Sequence, residues 1–390
     1  METVRLGVIG VGAMGGAHAR YLAAGNVKGA RLAALCDTDA KRRALLRKEF
    51  PDVQVFEDSE ALFAAKVCDA AVIATPHYAH PEIGIRALQE GLHVLTEKPI
   101  AVQCSRAREL VAAAGKSGKA LAVMFNQRTA PIFRAAREIV QSGALGKPQR
   151  LDWIITNWYR TQAYYRSGGW RATWRGEGGG VLMNQAPHQL DLWQWIFGMP
   201  QSLRAECRVA QYHDIEVEDD AAIFAEYANG ATAFFRTTTG EGHGTNRLEI
   251  ACDRGRLVLE QGMLKRWQLR ESAEEVCFRS AEAFVKIPWD YSEESFAAVE
   301  NPHGAVLQNF VEHILTGAPL IAEGREALNA LEIANAAYLS AWTGEKITLP
   351  PDDALFDRLL EERIRTSELR ESAASDTVGD YHERWQIRWT

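Results

Sequence analysis

The feature that most constrains this 390-residue chain is a glycine-rich turn that directly follows its first largely apolar run. Residues 4–9 lead into Gly10-Val11-Gly12-Ala13-Met14-Gly15, and a helical pattern follows. In such a strand–turn–helix unit the first glycine permits the tight turn, the second admits a ligand to the backbone, and the third lets the helix pack closely. The helix N-terminus then presents free N–H groups and a positive dipole end to a pyrophosphate.

An acidic residue at a suitable distance supports a ligand at this turn. The second apolar run, residues 32–36, ends in Asp37, where a carboxylate accepts hydrogen bonds from a ribose 2′-hydroxyl. We therefore predict a dinucleotide site with NAD as cofactor, since the carboxylate repels the 2′-phosphate of NADP; Arg42 and Arg43 follow closely and weaken that preference. The alternative is a glycine-rich turn without a ligand. The predicted contacts are Gly10, Gly12, Ala13, Met14, Gly15 and Asp37.

Length and composition limit the remaining possibilities. A chain of 390 residues is too long for one small core, so two domains are expected. The net charge of −7 argues against nucleic acid or an anionic membrane surface as partner, and no apolar run would span a bilayer. Six scattered cysteines without a CxxC pair predict neither a metal site nor disulfides. Because the chain starts with a charged residue and a strand, we expect no signal peptide and a cytoplasmic location.

The order of strand-like and helical patterns divides the chain. Up to residue 125 short apolar runs alternate with helical patterns, which predicts a doubly wound parallel sheet of the α/β class. From about residue 150 strand-like runs follow one another, which predicts an open, mostly antiparallel sheet closed by helices at 306–316 and 326–342. The predicted units are a nucleotide-binding domain (1–125), an α+β domain for substrate binding and oligomerisation (126–350), and a C-terminal extension (351–390).

Two further motifs carry candidate chemistry. Thr96-Glu97-Lys98-Pro99 ends the fifth predicted strand, and the carboxyl ends of parallel strands line the ligand crevice. Beside a cationic nicotinamide the pKa of Lys98 should fall, which suits a general base; the alternative is a solvated surface lysine. In residues 178–191 three glycines precede one predicted helix, on which Asn184, His188 and Asp191 share a polar face. The alternative makes Asn184 an N-cap and His188 a hydrogen-bonded core histidine.

Together these motifs resemble the Gfo/Idh/MocA oxidoreductases, which include glucose–fructose oxidoreductase and inositol dehydrogenases. The resemblance runs from Val4 to about Pro350. It implies a Rossmann domain followed by an α+β domain with a large, mostly antiparallel sheet. It also implies that Lys98 is the catalytic lysine and that His188 works beside it. By the same resemblance, the cofactor contacts extend to Thr75, Pro76, His80, Glu97, Lys98 and Asn126.

One departure from the family pattern concerns the proton path. Many members carry an aspartate where this chain has Asn184, and an amide orients a hydroxyl but takes no proton. The base role therefore rests more heavily on Lys98. Residues 157–174 are rich in aromatic side chains and arginines, as in a subgroup associated with intact sugars and glycosides. The predicted substrate contacts are Arg128, Tyr159, Trp174, Asn184, His188 and His303, and an anionic substrate would need Arg160, Arg166, Arg171 and Arg175.

Three functions are compatible with these residues. The first is an NAD-dependent dehydrogenase that oxidises a ring carbon of a sugar, glycoside or cyclic polyol with Lys98 as base. The second is a redox glycosidase, in which transient ring oxidation leads to loss of the aglycone and return of the hydride. The third, a nucleotide-sensing regulator, is disfavoured because Lys98 and His188 are both present. We also expect a homodimer or homotetramer paired through the open sheet face, with the tail after residue 352 reaching a partner.

Overall fold

The computed structural model describes residues 2–369, and its first sheet is parallel and six-stranded. Its strands are β1 (Val4–Ile9), β2 (Ala30–Cys36), β3 (Gln54–Phe56), β4 (Ala70–Ile73), β5 (His93–Thr96) and β6 (Leu121–Val123). The helices between them are α1 (Ala13–Ala23), α2 (Ala40–Glu49), α3 (Ser59–Ala64), α4 (Ala79–Gln89) and α5 (Cys104–Ser117). The strand order β3-β2-β1-β4-β5-β6 confirms the predicted doubly wound domain.

The second sheet is larger and mixed. Its strands are β7 (Pro148–Ile155), β8 (Ser202–Val209), β9 (Glu218–Glu226), β10 (Thr232–Thr238), β11 (Asn246–Cys252), β12 (Gly255–Glu260), β13 (Met263–Leu269), β14 (Trp289–Ser295) and β15 (Ile347–Thr348). They lie in the order β14-β13-β12-β11-β7-β10-β9-β8-β15. Strands β7 and β10 pair in parallel, and the other pairs are antiparallel. The predicted open, mostly antiparallel sheet is confirmed.

The remaining helices follow residue 125, and some of them cover one face of this sheet. After a 3-10 helix (Asn126–Thr129) come α6 (Pro131–Gln141), α7 (Gln162–Arg166), α8 (Val181–Asn184), α9 (Pro187–Phe197), α10 (Ala273–Arg279), α11 (Pro302–Thr316), α12 (Gly324–Thr343) and α13 (Asp353–Thr366). Helices α6, α9 and α12 pack together, and α12 lies on β8. Within residues 2–369, no helix has the length and apolar character needed to cross a membrane.

The opposite face of the second sheet is polar and ion-paired. Arg150 pairs with Glu249 at 2.6 Å, and Arg236 pairs with Asp220 at 2.9 Å. Phe224 is the most exposed apolar side chain of the central strands on this face, at 46%. Oligomerisation through this face stays a prediction, and most of the tail expected to reach a partner, residues 370–390, lies outside the described residues.

The helix at 302–316 packs on the first sheet and not on the second. Val306, Leu307, Phe310 and Val311 of α11 are buried in one cluster with Val4, Leu6 and Val8 of β1. Helix α13 also packs on α5, where Arg108 pairs with Asp353 at 2.9 Å. The prediction that a helix at 306–316 closes the second sheet is therefore wrong, because an amphipathic helix pattern shows that one face is buried but not against which sheet. The division at 125/126 stays a prediction.

The predicted single helix over residues 184–197 is also wrong. Helix α8 ends at Asn184, and α9 begins at Pro187, which occupies the first turn where a missing N–H costs nothing. Asn184 and His188 therefore lie on different helices, and the argument that they share one helical face does not hold. Asp191 is buried and points instead to Arg128.

Candidate active site

Two glycines of the turn lie where a side chain of their own would clash with the backbone. Gly10 has φ +83°, and a Cβ there would lie 2.8 Å from the carbonyl carbon of Ala74. A Cβ on Gly15 would lie 1.9 Å from the carbonyl oxygen of Gly10, so only glycine allows α1 to pack against the turn. Gly12 is the N-cap of α1 and makes no side-chain cap hydrogen bond. The first N–H groups of α1 therefore remain suitable for a pyrophosphate.

Asp37 is fixed beside this turn by backbone donors. Its two carboxylate oxygens accept hydrogen bonds from the N–H groups of Val11 and Asp39, each at 2.9 Å. Arg42 Nη1 donates to Val11 O at 3.2 Å, and its Nε lies 3.7 Å from Asp37 Oδ2; Arg43 Nη1 donates to Asp37 O at 2.9 Å. The glycine turn and the carboxylate together fit the adenosine half of NAD.

Buried polar atoms extend the site along the strand ends. Within residues 2–369, Thr75 Oγ1 and Asn126 Oδ1 are buried without a hydrogen-bond partner, which few native polar groups are. They follow β4 and β6, as the predicted cofactor contacts require. The ring of His80 differs from expectation: its nitrogens lie 2.8 Å from the carbonyl oxygens of Pro99 and Thr75. His80 therefore braces the two strand-end loops, and Pro76 is exposed.

Glu97 is the centre of a buried polar cluster with His18 and His303. Its Oε1 lies 2.8 Å from His18 Nε2. Burial raises the pKa of Glu97, but the hydrogen bond to His18 and the electrostatic influence of His18, His303 and Lys98 outweigh it and lower the pKa to about 2. His303 begins the first turn of α11, and its Nδ1 lies 3.3 Å from Asn126 Nδ2. The structure thus places His303 among predicted cofactor residues rather than with Tyr159 and Trp174.

Lys98 connects the two domains. Its Nζ donates a hydrogen bond of 2.8 Å to the backbone carbonyl of Asn184 at the end of α8. Burial lowers the pKa of Lys98 from its usual value, which increases the neutral fraction at a given pH. A lowered pKa is one property that a general base needs, and the base role of Lys98 stays a prediction.

His188 is a neutral imidazole beside this lysine. Burial lowers its pKa well below the usual value, and the positive charges of Lys98 and His303 lower it further. Its ring meets the edge of Phe125 with centroids 6.0 Å apart, and among residues 2–369 nothing hydrogen-bonds its buried Nδ1. A neutral ring with an unpaired nitrogen can donate or accept one hydrogen bond to a hydroxyl.

The side chain of Asn184 is held by protein groups. Its Nδ2 donates to Glu177, and its Oδ1 accepts from the hydroxyl of Tyr164 at 3.2 Å and from Gln185 Nε2 at 3.1 Å. Burial raises the pKa of Glu177. Sequence reasoning missed Glu177; the only signal was its place directly before the three glycines.

Two of the four arginines considered for an anionic substrate lie together. The guanidinium carbons of Arg171 and Arg160 lie 4.8 Å and 5.1 Å from the centroid of the Tyr164 ring. Arg166 and Arg175 are exposed, and Arg175 contacts the end of α13. Tyr159, a predicted substrate contact, is 49% exposed.

The structure does not support substrate contacts by Arg128 and Trp174. Arg128 is 1% exposed; it donates to both carboxylate oxygens of Asp191, to Glu326 and to the carbonyl of Ile321. Every guanidinium nitrogen of Arg128 is therefore already used inside the protein. Trp174 is buried against the edges of Tyr338 and Trp342, each 5.7 Å away between ring centroids. Both residues are part of the packing of the second domain.

The sequence matches known proteins over both predicted domains. Residues 4–125 match the model of an oxidoreductase family with an NAD-binding Rossmann fold, and residues 133–258 match the GFO/IDH/MocA C-terminal domain. D-glucoside 3-dehydrogenase of Escherichia coli is 26% identical over 361 residues, which cover 89% of this chain and 97% of that protein. Inositol 2-dehydrogenase of Rubrobacter xylanophilus is 34% identical over 196 residues, about half of each chain.

Solved structures show the same architecture. The WlbA dehydrogenase of Bordetella pertussis, in complex with NADH and UDP-GlcNAcA, matches with a TM-score of 0.75 and 25% identity. The match covers 90% of this chain and 100% of that chain. GenD2 of gentamicin A biosynthesis, in complex with NAD, matches with a TM-score of 0.70 and 25% identity, over 90% and 97% of the two chains.

Proposed function

Because this chain belongs to the Gfo/Idh/MocA family of NAD-binding oxidoreductases, we propose that it oxidises a ring secondary alcohol of a sugar, glycoside or cyclic polyol. The observation that carries the proposal is the partly buried amine of Lys98, which extends from the cofactor-binding domain to the carbonyl of Asn184 in the other domain. NAD, when bound, supplies the hydride acceptor.

Lys98 takes the proton of the substrate hydroxyl at Nζ. A neutral amine offers one lone pair, and the hydrogen bond to Asn184 O directs one N–H group away from the substrate and restricts rotation about the last side-chain bond. The lowered pKa of Lys98, caused first by burial, increases the population of this neutral form. His188, also neutral, holds the same hydroxyl or its neighbour through a ring nitrogen.

The surrounding groups suit a ring with many hydroxyls. In the described part of the chain, Trp158 Nε1 and Gln185 Oε1 are buried without a hydrogen-bond partner, one a donor and the other an acceptor. A carbohydrate supplies both kinds of partner from adjacent carbons. The relatives support the same class, since two of them are named for acting on a D-glucoside and on inositol.

The test is to incubate the purified protein with NAD and a panel of free sugars, cyclic polyols and glycosides with a chromogenic aglycone. We expect NADH to accumulate with at least one ring alcohol, and we expect Lys98→Met to slow its accumulation by about 10²–10⁴-fold. Lys147→Met, which changes an exposed lysine, is the matched control and should keep full activity. Release of aglycone without accumulation of NADH would instead identify the redox glycosidase, and bound NAD with no turnover on any compound would overturn both.

A further inference from the structure

A buried carboxylate lies next to the groups that the proposed reaction uses. Glu177 is 2% exposed, and its Oε2 accepts a hydrogen bond of 2.6 Å from the N–H of Ala172. Its Oε1 accepts from Asn184 Nδ2 and lies 3.9 Å from Nη1 of Arg171. A carboxylate is expensive to bury, and this one is held between a backbone donor, an amide and a guanidinium.

Asn184 links Glu177 to Lys98. The backbone carbonyl of Asn184 accepts from Lys98 Nζ, and its side-chain amide donates to Glu177. Tyr164 holds the same amide from the other side. The orientation of this one residue therefore depends on the lysine at its main chain and on the carboxylate at its side chain.

We infer that Glu177 is a positioning residue for the proposed reaction: it fixes Asn184 against Lys98 and supplies the negative charge that faces Lys98 from the second domain. The inference rests on the proposed function, since it assigns a role around the same base. Glu177 does not touch the reacting atoms.

The charges around Lys98 change its pKa, so the role of Glu177 can be measured through the pH dependence of the reaction. Burial lowers the pKa of Lys98, the carboxylates of Glu97 and Glu177 raise it, and the guanidiniums of Arg171 and Arg160 lower it. Glu97 is already paired with His18. The remaining titratable groups that face Lys98 are His77, His80, His188 and His303.

The direction in which the pH profile of kcat/KM should move follows from the role of Lys98 as a base. Lys98 accepts a proton only when neutral, so kcat/KM for the sugar rises with pH through the pKa of Lys98. Glu177→Gln removes a negative charge that favours the protonated amine, so the pKa of Lys98 falls. We expect the rising limb of the pH profile to move to lower pH in this variant, while Glu177→Asp, which keeps the charge, returns it toward the wild-type position.

The matched control is Glu216→Gln. Glu216 also accepts from a backbone N–H of the same segment, that of Trp174 at 3.0 Å, but it has no hydrogen bond to Asn184. A loss of local structure would affect both variants, whereas only Glu177→Gln should displace the limb. Arg171→Gln removes a positive charge that lowers the pKa of Lys98, so the rising limb should move to higher pH. This variant provides a second test if Glu177→Gln does not fold.

The outcomes separate this inference from the proposed function. If Lys98→Met is inactive while Glu177→Gln and Glu216→Gln have the same limb as the wild type, the positioning role is overturned and the base remains. An unmoved limb in Arg171→Gln has the same meaning where Glu177→Gln is insoluble. If Lys98→Met keeps full activity, the proposed function itself fails.

Discussion

The candidate site has two parts that the sequence determines in different ways. One is the cofactor edge of the first domain, which contains the glycine turn and Asp37, and the other is the wall formed by the second domain, which contains Arg128, Trp174, Glu177 and Asn184. At the cofactor edge, Gly10, Gly15 and Asp37 act through the backbone: a turn, a close helix approach and a carboxylate held by two N–H groups. In the wall, Arg128 and Trp174 are residue types that suit a sugar but are used for packing, whereas Glu177 and Asn184 are paired with each other.

This difference shows which functional residues a sequence reveals. A backbone conformation that only glycine adopts leaves a local motif, because the requirement lies within a few residues of the chain. A side chain of the second domain acquires its role from partners far away in sequence, as Arg128 does from Asp191, 63 positions later. Nothing in the sequence near residue 128 shows that the partner of Arg128 is Asp191 and not a substrate.

The largest effect is expected at Lys98, where the two regions meet. Lys98→Met should lower kcat/KM for the sugar by about 10²–10⁴-fold, the usual contribution of a general base, with little change in the affinity for NAD. Steady-state kinetics combined with calorimetric titration of NAD measures both quantities. A variant that loses NAD binding to the same extent would place Lys98 in the cofactor edge alone.

Arg128 tests whether a residue of the second domain serves packing or contacts the substrate. Arg128→Met leaves Asp191 buried without its partner, so the free energy of unfolding should fall by about 3–5 kcal/mol. Urea unfolding measures this change. Arg325→Met, which removes an exposed arginine, should change it by less than about 0.5 kcal/mol. If Arg128→Met has normal stability but binds the sugar more weakly, Arg128 is a substrate contact and not a packing residue.

The smallest of these effects is expected at Asp37. Asp37→Ala removes a charged acceptor for the ribose hydroxyls and should weaken NAD by about 1.5–3 kcal/mol, with less effect on NADP. Asp39→Ala is the control, since that neighbouring carboxylate caps α2 through the N–H of Arg42. Binding of both dinucleotides to each variant gives the comparison, and tighter binding of NADP than NAD by the wild-type protein would refute the role of Asp37.

The fold was more predictable than the site, although unevenly. The first two strands, predicted from the apolar runs at 4–9 and 32–36, lie close to those bounds because buried parallel strands are short apolar runs between helical patterns. Strands β13 and β14 were not predicted: β13 contains Lys265, Arg266 and Gln268, and β14 is exposed along its length at the sheet edge. Their strand structure comes from pairing with neighbours, not from a buried face.

The candidate site divides in the same way. Lys98 and His188 were identified from motifs and have the burial and charge environment that their predicted roles need, while their catalytic roles stay predictions. The involvement of His18 and Glu177 was not foreseen, because each acts through a partner that the fold brings close: Glu97 for His18 and Asn184 for Glu177. Residue type and spacing carry no information about such pairs.

The packing of α11 on β1 has a consequence for how the protein is made. The ribosome completes residues 1–125 long before it reaches Pro302, yet Leu307 and Phe310 cover the core that Leu6 and Val8 begin. At roughly 5–20 residues per second, the nascent first domain waits about 10–35 seconds with this apolar surface uncovered. During that interval the growing chain presents a binding surface for chaperones, and a ribosome-bound fragment ending before α11 should bind them more strongly than one that extends past residue 316.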